Sequence, residues 1–195
     1  MENRCTELFY KLEKPLVIGT NMSWIMVDIE ADGPIPGDYS MIALGAVVVE
    51  PTLAKGFFGT LKPISEKWVP DALAVAGYTS EETMKFDDPL QTMQRFNKWV
   101  RQNSQGRPLF VSDNNRFDWM FTRWYFIHFL EKDPFGHSST NLGSLYKGCV
   151  CDMTKNFKHL RKSRHTHNPL EDAVGNARVM LEISKRYAID LDWRW

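Results

Sequence analysis

The order of its elements predicts an α/β fold in which a mixed sheet is covered by helices: three strand-like segments come first, and strands then alternate with helices. WIMVDIE (24–30) has the length and the apolar, β-branched content of a buried central strand. The turn-rich ADGPIPGD follows, then SMIALGAVVVE and GFFGTLKP read as a second and a third strand, so a three-strand meander is expected. DALAVAG makes a short helix ended by Gly77. PLQTMQRFNKWVRQ places Leu90, Met93, Phe96, Trp99 and Val100 at helical spacing, which predicts a surface helix with one buried face. PLFVSD is a further strand, followed by a helix that starts near Asn114 or Asn115 and runs through FDWMFTRWYFIHFL. CVCD is a short strand candidate, and a long helix is expected from Asn168 to Tyr187.

At 195 residues and 43% hydrophobic content the chain fits one domain, large enough to hold a core without disulfides or structural metal. We take residues 22–195 as that domain. Residues 1–21 stand as an N-terminal extension of unassigned role, in which KLEKPLVIG has the make-up of a short extra strand. Lys plus Arg equals Asp plus Glu at 24 each, so the net charge makes no argument for or against nucleic acid. Cys5, Cys149 and Cys151 are an odd number without zinc or C-x-x-C spacing, which suits incidental thiols in a reducing compartment. No stretch approaches the ~20 apolar residues of a membrane span, and the N-terminus lacks the layout of a signal peptide. The expected location is cytoplasmic.

Three short clusters carry the chemistry. Side chains alternate along a strand, so Asp28 and Glu30 share one face while Val27 and Ile29 share the other. Two carboxylates on one face repel each other unless a cation neutralises them, and such hard oxygen ligands suit Mg²⁺ or Mn²⁺. A solvated strand end beside a Gly/Pro turn would look the same. Asp118 falls in the first turn of the helix after VSDNN, at the C-terminal end of a strand, where α/β sheets place their sites. The helix macrodipole alone would also favour an acid there. Asn168 caps the last helix and Pro169 fits its first position. Asp172 is therefore held about one turn in, while His167 stays on the preceding loop, able to take a proton from water. An exposed loop histidine beside a helix-start acid is the alternative.

In this order and spacing, DIE, NRFD and H-x-x-x-x-D resemble the DEDDh subgroup of 3'-5' exonucleases, which includes proofreading subunits, RNase T and oligoribonuclease. The likeness runs over roughly residues 23–186. It implies a ribonuclease H-like fold, a mixed five-stranded sheet flanked by helices, with the site at the ends of the central strands. It also implies that Asp28 is shared by two divalent cations, Mg²⁺ or Mn²⁺, and that Glu30 and Asp172 complete the first metal site. Asp118 would serve the second metal mainly through water, and His167 would be the general base. The implied products are 5'-mononucleotides. RNase T and oligoribonuclease act as homodimers, so a homodimer is a possible assembly here, with the Trp- and Phe-rich helix as its interface.

The chain departs from members of that family in two places. Oligoribonuclease carries a bulky apolar wedge in the turn after D-x-E, whereas ADGPIPGDYS offers only Ile35 or Tyr39 for that task. The segment VCDMTKNFKHLRKSRHTH before the histidine is short, as in oligoribonuclease, which tilts the expected substrate towards RNA. Its Lys155, Lys158, Arg161, Lys162 and Arg164 have no acid among them, so the run suits phosphates and polyanion steering, or else is a solvated basic face. Asn115, Phe117 and Tyr39 join Arg161, Lys162, Arg164 and Ile35 as candidate contacts to single-stranded RNA or DNA with a free 3' end. Trp119 through Phe129 reads better as core, and the closing WRW as a plug or a partner contact. Two rivals remain: a DNA proofreading or repair exonuclease, and a non-catalytic nucleic-acid-binding module of the same fold.

Overall fold

A computed structural model describes residues 22–191. The proposed N-terminal extension and the terminal WRW lie outside these residues.

Among the described residues five strands form one sheet in the order β3-β2-β1-β4-β5. They are β1 (Met22–Ala31), β2 (Met41–Val48), β3 (Gly56–Thr60), β4 (Arg107–Ser112) and β5 (Ser139–Asn141). β1 to β3 make the expected antiparallel meander, and β4 and β5 add in parallel on the other side of β1, so the sheet is mixed. Among the described residues six α-helices flank it: α1 (Pro70–Ala76), α2 (Ser80–Thr83), α3 (Pro89–Asn103), α4 (Asn115–Leu130), α5 (Leu142–Val150) and α6 (Pro169–Tyr187).

Alternation along β1 splits the core in two. Ile25, Val27 and Ile29 pack with Phe96 of α3 and Phe121, Tyr125 and Phe126 of α4. Met26 faces the opposite layer with Ala173, Ala177 and Met180 of α6. Asp28 and Glu30 continue the Met26 face, so they take positions that burial would otherwise give to apolar residues.

The helix ends follow their local chemistry. Gly77 closes α1 in the left-handed region at φ 76°. Asp88 caps α3 by accepting the Gln91 amide at 3.1 Å. On α3, Met93, Phe96 and Val100 are buried as expected, but Leu90 in the first turn is 39% exposed.

CVCD is not a strand. Cys149 and Val150 complete α5, and Cys151 ends it in the left-handed conformation. The edge strand is instead Ser139–Asn141, three polar residues too short to show an alternating pattern. Cys149 is a free thiol, whereas Cys151 is disulfide-bonded, against the expectation of incidental thiols. Among the described residues no helix is long and apolar enough to cross a membrane.

One close approach sets the site. Gly45 of β2 pairs with Asp28 of β1, and a Cβ at Gly45 would run into the backbone of Pro169 and Leu170 at the start of α6. The absent side chain lets α6 deliver Asp172 next to Asp28. Gly45→Ala should lower stability by about 1–3 kcal/mol, because backbone must move to admit the methyl. Denaturant unfolding checks this, and an unchanged midpoint would refute the close approach.

Candidate active site

The pairing of β1 with β4 runs from Met22↔Arg107 to Met26↔Val111 and then stops. Asp28 and Glu30 therefore project beyond the end of β4, where the chain turns through Asp113 and Asn114 into α4. Asp118 enters this notch from the first turn of α4, and Asp172 enters it from the first turn of α6. The four carboxylates are 1–9% exposed.

Asp28, Glu30 and Asp172 each offer a ligand atom within 4.8 Å of the others. Asp118 lies outside that trio but acts electrostatically on Asp28 and Glu30. Burial and then the fields of Asp118, Glu30 and Asp172 push Asp28 well above the usual carboxylate range, against the opposing charge of Arg161. Burial and then the fields of Asp172 and Asp118 raise Glu30 to about 8. Burial raises Asp118 to about 7, against hydrogen bonds from Ser112 and from the Asn114 and Ile29 backbones. This many like charges in one notch make a strong demand for a cation, and an all-oxygen donor set fits Mg²⁺ or Mn²⁺.

These shifts have a testable consequence. With chelator present, the folded protein keeps protons that the unfolded chain releases from about pH 4 upwards, and Glu30 holds its proton to about 8. Stability should therefore fall as pH rises through that window. A divalent cation favours the ionised acids, so its stabilising effect should grow over the same range. Thermal unfolding at pH 5 and pH 8, with EDTA and with Mg²⁺, checks both slopes. A cation effect larger at pH 5 would contradict the assignment of these acids to a cation site.

Asp172 is also a structural anchor. Its Oδ2 accepts the His167 amide at 2.8 Å and its Oδ1 accepts the Thr166 amide at 3.1 Å. His165 Nδ1 lies 2.8 Å from Oδ2, and Arg161 Nη2 lies 3.6 Å from Oδ1. His167 sits in the left-handed region at φ 58°, a conformation that needs outside restraint in a non-glycine residue. Its Nδ1 lies 3.6 Å from Glu30 Oε1, its side chain is 40% exposed, and the His165 ring is 4.4 Å away.

The remaining candidates lie on the turn after β1, at the start of α4 and on the loop before α6. Ile35 is 47% exposed in the turn after β1. Tyr39 lays its ring directly over Gly33, where no Cβ would fit. Phe117 is half-buried and packs on Phe121 at 4.9 Å. Asn115 accepts from Ser112 Oγ and donates to Ser139 Oγ, both at 2.8 Å, tying α4 to β4 and β5. Lys162 and Arg164 are exposed, whereas Arg161 turns inward.

Asp113 escaped the sequence reading. Burial raises its proton affinity, and Arg161, His165 and Lys158 oppose that rise, so it faces the basic loop beside the notch. VSDNN read only as a turn, and nothing in it signals a partner some fifty residues later.

No family model matches the sequence. The 3'-5' DNA exonuclease Cap18 of Escherichia coli is 39% identical over 130 residues, which are 64% of this chain and 68% of that protein. Among solved structures, E. coli ExoI in complex with single-stranded DNA superposes with a TM-score of 0.70 at 17% identity, over 87% of this chain. The match spans 42% of the ExoI chain. The nuclease domain of 3'hExo, a DEDDh family member bound to rAMP, gives a TM-score of 0.67 at 16% identity, over 84% of this chain and 92% of that domain. At such identities the structural likenesses describe the fold, a helix-flanked mixed sheet of the ribonuclease H-like kind.

Proposed function

Because this chain belongs to the DEDDh-type 3'-5' exonuclease family, we propose that it hydrolyses single-stranded nucleic acid from a free 3' end, with two divalent cations, releasing 5'-mononucleotides. The observation that carries this reading is the convergence of Asp28, Glu30 and Asp172 within 4.8 Å, with His167 beside Glu30.

In this reading Asp28, Glu30 and Asp172 would hold one cation, and Asp28 with Asp118 would serve the second. Bound there, Mg²⁺ or Mn²⁺ supplies Lewis acidity at the attacking water and charge stabilisation at the leaving 3'-oxygen. His167 takes the proton of the attacking water. Its Nδ1 faces Glu30, which leaves Nε2 as the accepting nitrogen. The exposed Lys162 and Arg164 would draw the polyanion towards the notch, and Ile35 and Phe117 would touch bases.

We take DNA ahead of RNA as the substrate, because the relative Cap18 is a DNA exonuclease. The RNA preference expected from the short segment before His167 is the second reading. Matched 5'-labelled RNA and DNA oligomers, incubated with Mg²⁺, Mn²⁺ or EDTA, test both. A descending ladder that requires metal is expected, with the faster strand naming the substrate. No cleavage of either strand would leave the fold serving as a binding module.

The homodimer reading rests on the aromatic helix, α4, which keeps Trp124 half-buried and Ile127 exposed. It predicts sedimentation above the 22.7 kDa chain mass, and a monomer at working concentration would remove it.

A further inference from the structure

Arg161 departs from the rest of its basic run. Its side chain is 15% exposed, and its Nε and Nη2 are enclosed without a hydrogen-bonding partner among the described residues. A guanidinium in that state is costly unless carboxylates compensate it. Here they do: Nη2 pairs with Asp172 Oδ1 at 3.6 Å, and the same charge acts on Asp28 and Asp113.

The seat is built into α6. Gly175 lies one turn beyond Asp172, and a Cβ there would stand 3.7 Å from Arg161 Nε, 3.9 Å from its Nη2 and 2.7 Å from Ser163 Oγ. The bare helix surface at Gly175 thus receives the 161–163 segment. From it the chain runs on to Thr166 and His167, whose amides bond to the same Asp172 carboxylate that Arg161 pairs with. Asp172 is shared between the guanidinium and the loop, so the position of one sets the position of the other.

We propose that Arg161 is a positioning residue of the hydrolytic site: seated on Gly175 and paired with Asp172, it fixes the corner from which Asp172 and the His167 loop face the acidic cluster. It does so from inside the fold, without touching the substrate. This rests on the proposed role of His167 for its effect on rate, but the loop's placement can be measured separately.

Arg161→Met and Arg161→Lys fill similar space and differ in charge, so their comparison separates pairing from packing. In the full chain with EDTA, amide exchange at Thr166 and His167 is expected to quicken about 10-fold or more in Arg161→Met and to return most of the way in Arg161→Lys. With Mg²⁺, kcat on a single-stranded oligomer should fall about 10- to 100-fold in Arg161→Met, as for groups that orient metal ligands, while KM stays within about 3-fold. Combined with His167→Ala, it should add little further loss, because both act through one group.

Unchanged exchange at both amides overturns the proposal, as does a raised KM with kcat kept, which would make Arg161 a substrate contact. Full activity of His167→Ala would instead remove the base, and the exchange rates would still decide the seat. Should Arg161→Met not fold, Arg161→Gln against Arg161→Lys gives the same contrast.

Discussion

Asp172→Ala is expected to abolish hydrolysis, with a loss of at least about 10³-fold, the scale on which whole catalytic groups are lost. Two separate functions fail together in this variant. The cation site loses one of the three carboxylates that lie within 4.8 Å of one another. The loop carrying His167 loses the acceptor of its Thr166 and His167 amides, and Arg161 loses its ion-pair partner. Asp172→Asn separates the two in part, since its one carbonyl oxygen, at the Oδ2 position, can still accept both amides while the negative charge and its pair with Arg161 are gone. Both variants should lose Mg²⁺-induced thermal stabilisation, and the alanine, which loses the acceptor as well as the Arg161 pair, should lose more of the amide protection at residues 166 and 167 than the asparagine. A ladder of wild-type intensity from either protein would remove Asp172 from the cation site.

The same acids make opposite contributions to stability and to chemistry. Asp118 is buried and its proton affinity is raised chiefly by that burial, so its charge is held at the expense of the fold. Asp172 has the Arg161 guanidinium and the amides of its own loop to meet it. Removing the first takes away a desolvated charge together with the acceptor of the Ser112 and Asn114 hydrogen bonds, whereas removing the second strands an enclosed cation. This asymmetry explains how four acids share one notch: each is either compensated by this chain or left for a divalent ion.

What the sequence made legible were features set by local rules. The meander was readable because β1 and β2 are long enough for their apolar content to show, and the N-terminal cap of α6 follows from Asn168-Pro169. That Asp28 and Glu30 share a face follows from strand alternation alone, and the register confirms it. The edge strand was hidden because Ser139–Asn141 has three residues, all polar, and owes its place to pairing with β4. CVCD misled because its apolar, thiol-rich make-up fits a strand, while the preceding turns of α5 carry it on as a helix. Gly45, Gly175, Asp113 and the inward turn of Arg161 were illegible for one reason. Each matters through a contact with a segment far away in the chain, such as Gly45 with Pro169 and Leu170.

His167→Ala should slow turnover by about 10² to 10⁴, the range for a lost general base, while leaving the cation site able to fill. The geometry supports this split. His167 stands outside the trio of converging carboxylates, its Nδ1 lies 3.6 Å from Glu30, and its backbone amide rather than its ring is what Asp172 holds. Truncation at Cβ therefore removes the imidazole and leaves the loop's anchor in place. Mg²⁺ should stabilise this variant against heat as much as it does the wild type, in contrast with Asp172→Ala. The neighbouring His165 gives a sharper test, because its ring is 4.4 Å from that of His167 but is already committed to Asp172 Oδ2 at 2.8 Å. If His165 could substitute as the base, His167→Ala would retain much of its rate and the double variant would collapse. If His165 is held by Asp172, the single variant should already show the full loss. Turnover of the two single variants and the double variant, measured with saturating Mg²⁺, decides between them, and an unimpaired His167→Ala protein would mean that another group takes the proton.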